Sequence, residues 1–234
     1  MIYSITPYKQ HRYNCAIACL LMILEYKKII PKATYFYEKE YEKRYHSRYM
    51  EGTPFSAIAY HLSKNHLKVK LAHSEKDYFT NANQFLPDSV FQNTMKEYQS
   101  YLQGVIENGG VVETYISITI AFLQEQLNHG YVIVLAGMSG KVLHAIVLCG
   151  YESDNFVVCD PLYKKQQLHP CEEIEKFMDT PIGKWCILVK VWYTIFRKSN
   201  VYHAYEEYMR YMGKDMTLFD RLLQLALHYS KEED

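Results

Sequence analysis

The sequence has no excess of charge of either sign, since its 234 residues include 26 lysines and arginines against 26 aspartates and glutamates. Nucleic-acid binding usually requires a basic patch, so nucleic acid is not an expected partner. Hydrophobic residues make up 49% of the chain and charged residues 22%, which is usual for a globular protein with a sizeable core. This length predicts one large domain or one domain with a cap.

Long apolar runs are also lacking. The longest, around 15–24 and 143–149, are shorter than the ~20 residues that a helix needs to span a bilayer, so no membrane partner is expected. The N-terminus lacks the basic start, apolar core and cleavage site of a signal peptide. A cytoplasmic location with reduced, buried thiols is therefore predicted for the six cysteines at positions 15, 19, 149, 159, 171 and 186.

The sequence does contain an abrupt change from polar to apolar residues at Cys15. The apolar pattern predicts a helix over about 14–27, with Asn14 as its N-cap and Cys15 in its first turn. The unpaired N–H groups and the positive end of a helix favour a thiolate over a thiol. Cys15 is therefore a candidate nucleophile.

The pattern along the rest of the chain predicts an α+β protein. Further helices are expected near 33–50, 55–65, 89–106, 117–129 (with Gly130 as its C-cap), 172–178, 202–211 and 218–228. Strands are expected near 67–72, 111–115, 131–136, 142–151, 155–159 and 184–193. We expect a helical N-terminal half carrying Cys15 to pack on an antiparallel sheet, with extra helices at 30–110 and 200–230.

A tyrosine stripe recurs every four residues within 33–50, at Tyr37, Tyr41, Tyr45 and Tyr49. That spacing places the rings on one helical face and the intervening charges on the others. Such stripes usually serve packing. A docking face for a substrate-carrying partner is the alternative.

Two residues on the predicted sheet could serve a cysteine nucleophile. His144 begins a strand and Asp160 ends the next one, with a short turn at 152–155 between them. Alone, His144 could be a core histidine and Asp160 a turn residue. Together with Cys15 they supply a thiolate, an imidazole and a carboxylate that orients the imidazole.

Metal binding is a weaker alternative for the same segment. His11, Cys15 and Cys19 are spaced at intervals of four, yet no second ligand pair with zinc-like spacing appears. We therefore predict no metal and no cofactor. Cys19 is interpreted as a buried structural thiol.

Three motifs resemble the C39-like branch of the papain-like cysteine peptidases. They are Gln-x-x-x-Asn-Cys-x-x-Ala-x-Leu-x-Met-Ile-Leu, His-Ala-Ile-Val-Leu-x-Gly-Tyr and Val-Val-x-Asp-Pro, and they cover about 8–28 and 130–162. The resemblance implies Cys15 as nucleophile, His144 as general base and acid, and Asp160 as its orienting partner. It also implies Gln10 as a side-chain oxyanion donor, although Gln10 stands one position closer to the cysteine than is usual.

The resemblance further implies a papain-like catalytic domain over 1–194, with a helical insertion at about 30–110, followed by a C-terminal helical extension over 195–234. The expected activity is acyl transfer from a carrier-bound acyl or peptidyl group to an amine in natural-product biosynthesis. A carrier protein or a peptide would then be the donor, and an amine or water the acceptor. The alternatives are a peptidase and an inactive peptide- or carrier-binding scaffold.

Overall fold

The computed structural model describes residues 2–49, 51–76 and 87–191. Within these ranges the chain forms six helices, namely α1 (Cys15–Tyr26), α2 (Tyr35–Tyr45), α3 (Phe55–Lys64), α4 (Asp88–Glu107), α5 (Ile120–Asn128) and α6 (Cys171–Met178). It also forms seven strands, namely β1 (Val69–His73), β2 (Val111–Glu113), β3 (Tyr131–Ser139), β4 (Val142–Glu152), β5 (Asn155–Cys159), β6 (Gln167–Pro170) and β7 (Trp185–Lys190). The predicted α+β class is confirmed.

The seven strands form one sheet in the order β2-β1-β7-β3-β4-β5-β6. The prediction of an antiparallel sheet is wrong at one edge, because β2 pairs parallel to β1. Parallel neighbours need a crossover of a dozen or more residues, and α4 lies between these two strands in the chain. The sheet is therefore mixed, with antiparallel pairing through the part that carries His144.

Helix α1 is buried almost along its whole length. Every residue from 16 to 24 is buried, and the helix packs against β4. A helix that is apolar all round needs protein on every side, so this sequence drives α1 into the core. Cys15 is its first residue and stays half-buried. Burial of α1 thus leaves the thiol at the surface end of a rigid element.

Most predicted elements lie within a few residues of their expected positions, and β5 coincides with its predicted range. Gly130 follows the C-cap of α5 with a φ of 80°, which is the left-handed conformation that glycine adopts easily. Strand β6 was not predicted. It is a four-residue edge strand ending in Pro170, and such a segment has too little alternation to stand out.

The tyrosine stripe is largely a packing feature. Tyr45 is buried and its hydroxyl lies 2.6 Å from Nδ1 of His61, while Tyr37 and Tyr41 are half-buried against the core. The expected continuation to Tyr49 is wrong, because α2 ends at Tyr45 and Tyr49 is exposed. The helices predicted at 202–211 and 218–228, with the extension over 195–234, lie outside the described residues.

Candidate active site

Cys15 opens α1, as its sequence position predicts, but Asn14 does not cap the helix in the expected way. Asn14 occupies the N-cap position without a side-chain capping bond. Its Nδ2 instead donates to Oε1 of Glu38 at 3.1 Å. The side chain that could have capped the helix therefore ties the start of α1 to α2.

The structure brings His144 and Asp160 together. Nε2 of His144 lies 2.8 Å from Oδ1 of Asp160, because β4 and β5 pair through a tight turn and Asp160 directly follows β5. The same carboxylate oxygen accepts the backbone N–H of Leu162 at 2.8 Å. This local bond fixes the carboxylate in the turn, where it holds the imidazole in one orientation.

His144 and Cys15 line the same cleft, and the Cys15 thiol is close enough to help raise the pKa of His144. Since Nε2 faces Asp160, Nδ1 is the ring nitrogen available to the thiol. Burial alone would lower the pKa of His144, but the hydrogen bond to Asp160 and the interaction with Cys15, together with their negative charge, outweigh it and raise the pKa to about 9. The site therefore favours the imidazolium form, which is the form that stabilises a neighbouring thiolate.

A cleft of about 640 Å³ opens over Cys15 and His144. Aromatic and aliphatic side chains supply most of its wall, at Tyr13, Ala16, Phe55, Tyr98, Ala136, Val142, Leu143, Ala145 and Trp185. Glu51 and Lys141 add two charged side chains besides His144. The cleft thus combines an apolar body with a few polar groups, as small-molecule and peptide sites commonly do.

Gln10 lies beside the Asp160 turn and donates its backbone N–H to the carbonyl of Pro161 at 2.8 Å. Its side-chain Nε2 donates to the carbonyl of Arg12 at 2.9 Å, and Gln10 is absent from the described residues that line the cleft. The side chain would have to turn to reach a substrate oxyanion. The oxyanion role of Gln10 stays a prediction.

His11 and Cys19, which were considered with Cys15 as possible metal ligands, have different surroundings. Nδ1 of His11 lies 2.8 Å from Oε2 of Glu38. Cys19 is fully buried, and burial raises the pKa of its thiol well above the ordinary value. Its surroundings suit the structural role that the sequence suggested.

Three acidic or basic residues near Cys15 were not picked out from the sequence. Glu51 and Lys141 lie in loops, where charge is ordinary and carries no signal. Glu38 lies in a run of tyrosine, glutamate and lysine that predicts a solvent-exposed helix, yet its side chain is fully buried. Only the packing of α2 against the segment before α1 reveals the position of Glu38, and only the cleft brings Glu51 and Lys141 to the site.

The α+β fold is papain-like, and this defines the class of the protein. A model of the Peptidase_C39 like family matches residues 2–185. The chain therefore belongs to the Peptidase_C39 like family and is cysteine peptidase-like.

Among solved structures, the chain is similar to the crystal structure of the peptidase domain of Streptococcus ComA, described as a bi-functional ABC transporter involved in a quorum sensing pathway. The two are 14% identical, the match covers 80% of this chain and 99% of that chain, and the TM-score is 0.44. No curated protein matches the chain. Over the described residues, no helix combines the length and apolar character needed to cross a membrane.

Proposed function

We propose that the protein is a cysteine acyl-transfer enzyme in which Cys15 forms a covalent acyl-thioester. The observation that carries this proposal is that Cys15 and His144 line one cleft while Oδ1 of Asp160 lies 2.8 Å from Nε2 of His144. Each group has the partner that its role requires: an imidazole beside the thiol and a carboxylate on the far ring nitrogen.

In the first half-reaction the Cys15 thiolate attacks the carbonyl carbon of a thioester or an amide. A C–S bond forms, and the imidazolium of His144 gives its proton to the departing thiol or amine. The backbone N–H of Cys15 and, by family resemblance, Gln10 would stabilise the oxyanion. One such donor is worth about 3 kcal/mol in the transition state.

For the second half-reaction we propose an amine as the attacking group. The amine nitrogen forms a bond to the acyl carbon, its proton passes to His144, and Cys15 departs as the thiolate. The Glu51 carboxylate on the cleft wall supports an amine acceptor, since it attracts the protonated amine against the opposing charge of Lys141. The ammonium gives one proton to solvent, and the neutral amine that results is the species that attacks. The donor would be a carrier-bound acyl or peptidyl group of natural-product biosynthesis.

Hydrolysis of a peptide is the second candidate function, and membership of the Peptidase_C39 like family favours it. The same acyl-thioester would then react with water. What separates the two outcomes is whether the cleft holds an amine in place and excludes water. A binding scaffold without activity is disfavoured by the His144–Asp160 pair beside Cys15.

The test is to incubate the protein with an acyl N-acetylcysteamine thioester, alone and with a diamine or an amino sugar. Amide product supports the transferase, and free acid alone in both reactions supports the hydrolase and contradicts the transfer proposal. Cys15→Ala is the control and should yield neither product above background. If the wild-type protein gives neither product with this thioester or with an activated peptide, the enzyme proposal fails.

A further inference from the structure

Glu38 is a fully buried acidic residue that has no part in the proposed chemistry. It lies on α2, and its side chain is 0% exposed. A buried carboxylate is costly unless its oxygen atoms are hydrogen-bonded. The hydrogen-bond partners of Glu38 should therefore indicate what its buried carboxylate does.

All four described hydrogen bonds to this carboxylate come from residues 8–14, which we call the nucleophile loop. Oε2 receives the Tyr8 hydroxyl at 2.7 Å and faces Nδ1 of His11 at 2.8 Å. Oε1 receives the backbone N–H of His11 at 2.8 Å and Nδ2 of Asn14 at 3.1 Å. Burial, followed by the bond to Glu38, raises the pKa of the Tyr8 hydroxyl.

The nucleophile loop belongs to no helix or strand, so it needs other contacts to hold its shape. Arg12 lies in the left-handed region with a φ of 57°, a conformation that costs free energy for a side chain of this kind. At the other end the backbone N–H of Gln10 is bonded to Pro161, next to Asp160. The loop therefore joins the Asp160 turn to Cys15, and the Glu38 carboxylate holds its centre.

We propose that Glu38 is a positioning residue for Cys15, which fixes the nucleophile loop so that the Cys15 thiol and backbone N–H face the same point in the cleft. The inference rests on the proposed function, since it assumes acylation at Cys15. Glu38 does not contact the substrate in this account. It acts through Tyr8, His11 and Asn14.

Two reactions of Cys15 depend differently on this alignment. Alkylation by iodoacetamide requires only a reactive, accessible thiolate. Acylation also requires the oxyanion donors to be placed at the new tetrahedral centre. Loss of Glu38 should thus reduce acylation far more than alkylation, whereas a general loss of folded protein would reduce both equally.

The test measures both rates at Cys15 by intact-protein mass spectrometry, using a p-nitrophenyl ester and iodoacetamide. In Glu38→Gln we expect acylation to fall about 10- to 100-fold, the range that a small misplacement can cost, with alkylation within about threefold of the wild type. Glu40→Gln is the matched control, because Glu40 lies on the same helix with its side chain 49% exposed. It should leave both rates unchanged.

Tyr8→Phe covers the case in which Glu38→Gln does not fold, because it removes one donor and keeps the carboxylate. The ratio of acylation to alkylation should fall measurably, by less than in Glu38→Gln. A wild-type ratio in Glu38→Gln, or in Tyr8→Phe where only that variant folds, would overturn this inference alone. Absence of any acyl adduct at Cys15 in the wild-type protein would overturn the proposed function and this inference with it.

Discussion

Two cysteines of this protein share the same local position and differ in their neighbours. Cys15 is the first residue of α1 and Cys171 the first residue of α6, and both are half-buried. Beside Cys15 stand His144 and, behind it, Asp160. Cys171 has the amide of Gln124 at 3.8 Å, and burial, followed by the charge of Asp154, raises the pKa of its thiol.

The comparison separates two causes of cysteine reactivity. A helix start offers both thiols unpaired N–H groups and a positive helix end, so this feature cannot distinguish them. The imidazole of His144, oriented by Asp160, interacts with Cys15, whereas His169, which lies 2.9 Å from Glu173, is not among the groups that shift the pKa of Cys171. We infer that the His144–Asp160 pair, more than the helix, makes Cys15 the reactive thiol.

Removing each sulfur in turn should give the largest contrast. Cys15→Ala is expected to abolish turnover of an acyl thioester, because no covalent intermediate can form. Cys171→Ala should retain the wild-type rate within about twofold, since it changes no group of the proposed mechanism and surface changes of this kind are usually mild. Steady-state product formation measures both. Comparable loss in the two variants would contradict the assignment.

Asp160→Asn should remove the carboxylate charge from the surroundings of Cys15 while leaving His144 in place. The amide keeps the shape of the side chain but removes the charge that helps to hold His144 as imidazolium, and a comparable change in another triad costs roughly 10⁴-fold in kcat. We expect a loss of about 10³- to 10⁴-fold in acylation. The pKa of His144, followed by NMR, should fall from about 9. An unchanged pKa would show that the carboxylate does not control the imidazole.

The pH dependence of the free energy of unfolding should also report the charge on His144. The pKa of His144 is raised to about 9, above its ordinary value of 6.5, so its contribution is fully present below pH 6.5 and is lost as the pH rises through about 9. His61 has the opposite shift, because burial, then Arg44 and Lys64, lower its pKa to about 4. Its contribution is present above pH 6.5 and is lost as the pH falls through about 4.

Urea unfolding between pH 4 and pH 9.5 measures how the free energy of unfolding falls at acid and at alkaline pH. Asp160→Asn should reduce the alkaline fall and leave the acid fall unchanged. An alkaline fall of full size in Asp160→Asn would contradict the pairing of His144 with this carboxylate.

The smallest expected effect concerns Cys19, one turn beyond Cys15 on the same helix. Cys19→Ala should lower the free energy of unfolding by roughly 1–2 kcal/mol, because it leaves a small cavity in a close-packed core. Acylation at Cys15 should remain near the wild-type rate. Denaturation midpoints and acylation rates test this together, and a loss of acylation as large as in Cys15→Ala would reverse the roles of the two cysteines.

Sequence reasoning located the groups that carry chemistry because each follows a strong local pattern. The apolar run of α1 marks Cys15, and two β-rich runs joined by a short turn predict that His144 and Asp160 are neighbours. The contact between Cys15 and His144 joins residues far apart in the chain, so it depended on family resemblance until the structure placed them together.

The misses have physical causes. Asn14 has the right type and position for a helix cap, but the buried carboxylate of Glu38 competes for its amide. Glu38 itself lies among charged residues whose spacing suggests an exposed face. The parallel pairing of β2 depends on a crossover through α4, and no short-range pattern encodes it.

The central claim is that Cys15 accepts the acyl group because His144 and Asp160 stand beside it. Peptide mapping by tandem mass spectrometry, after brief treatment with an acyl thioester at neutral pH, tests this claim most directly because all six cysteines are observed in one experiment. The account predicts an acyl group on Cys15 and none on Cys171. Acylation of Cys171 at a comparable or greater level, or of neither residue, would contradict it.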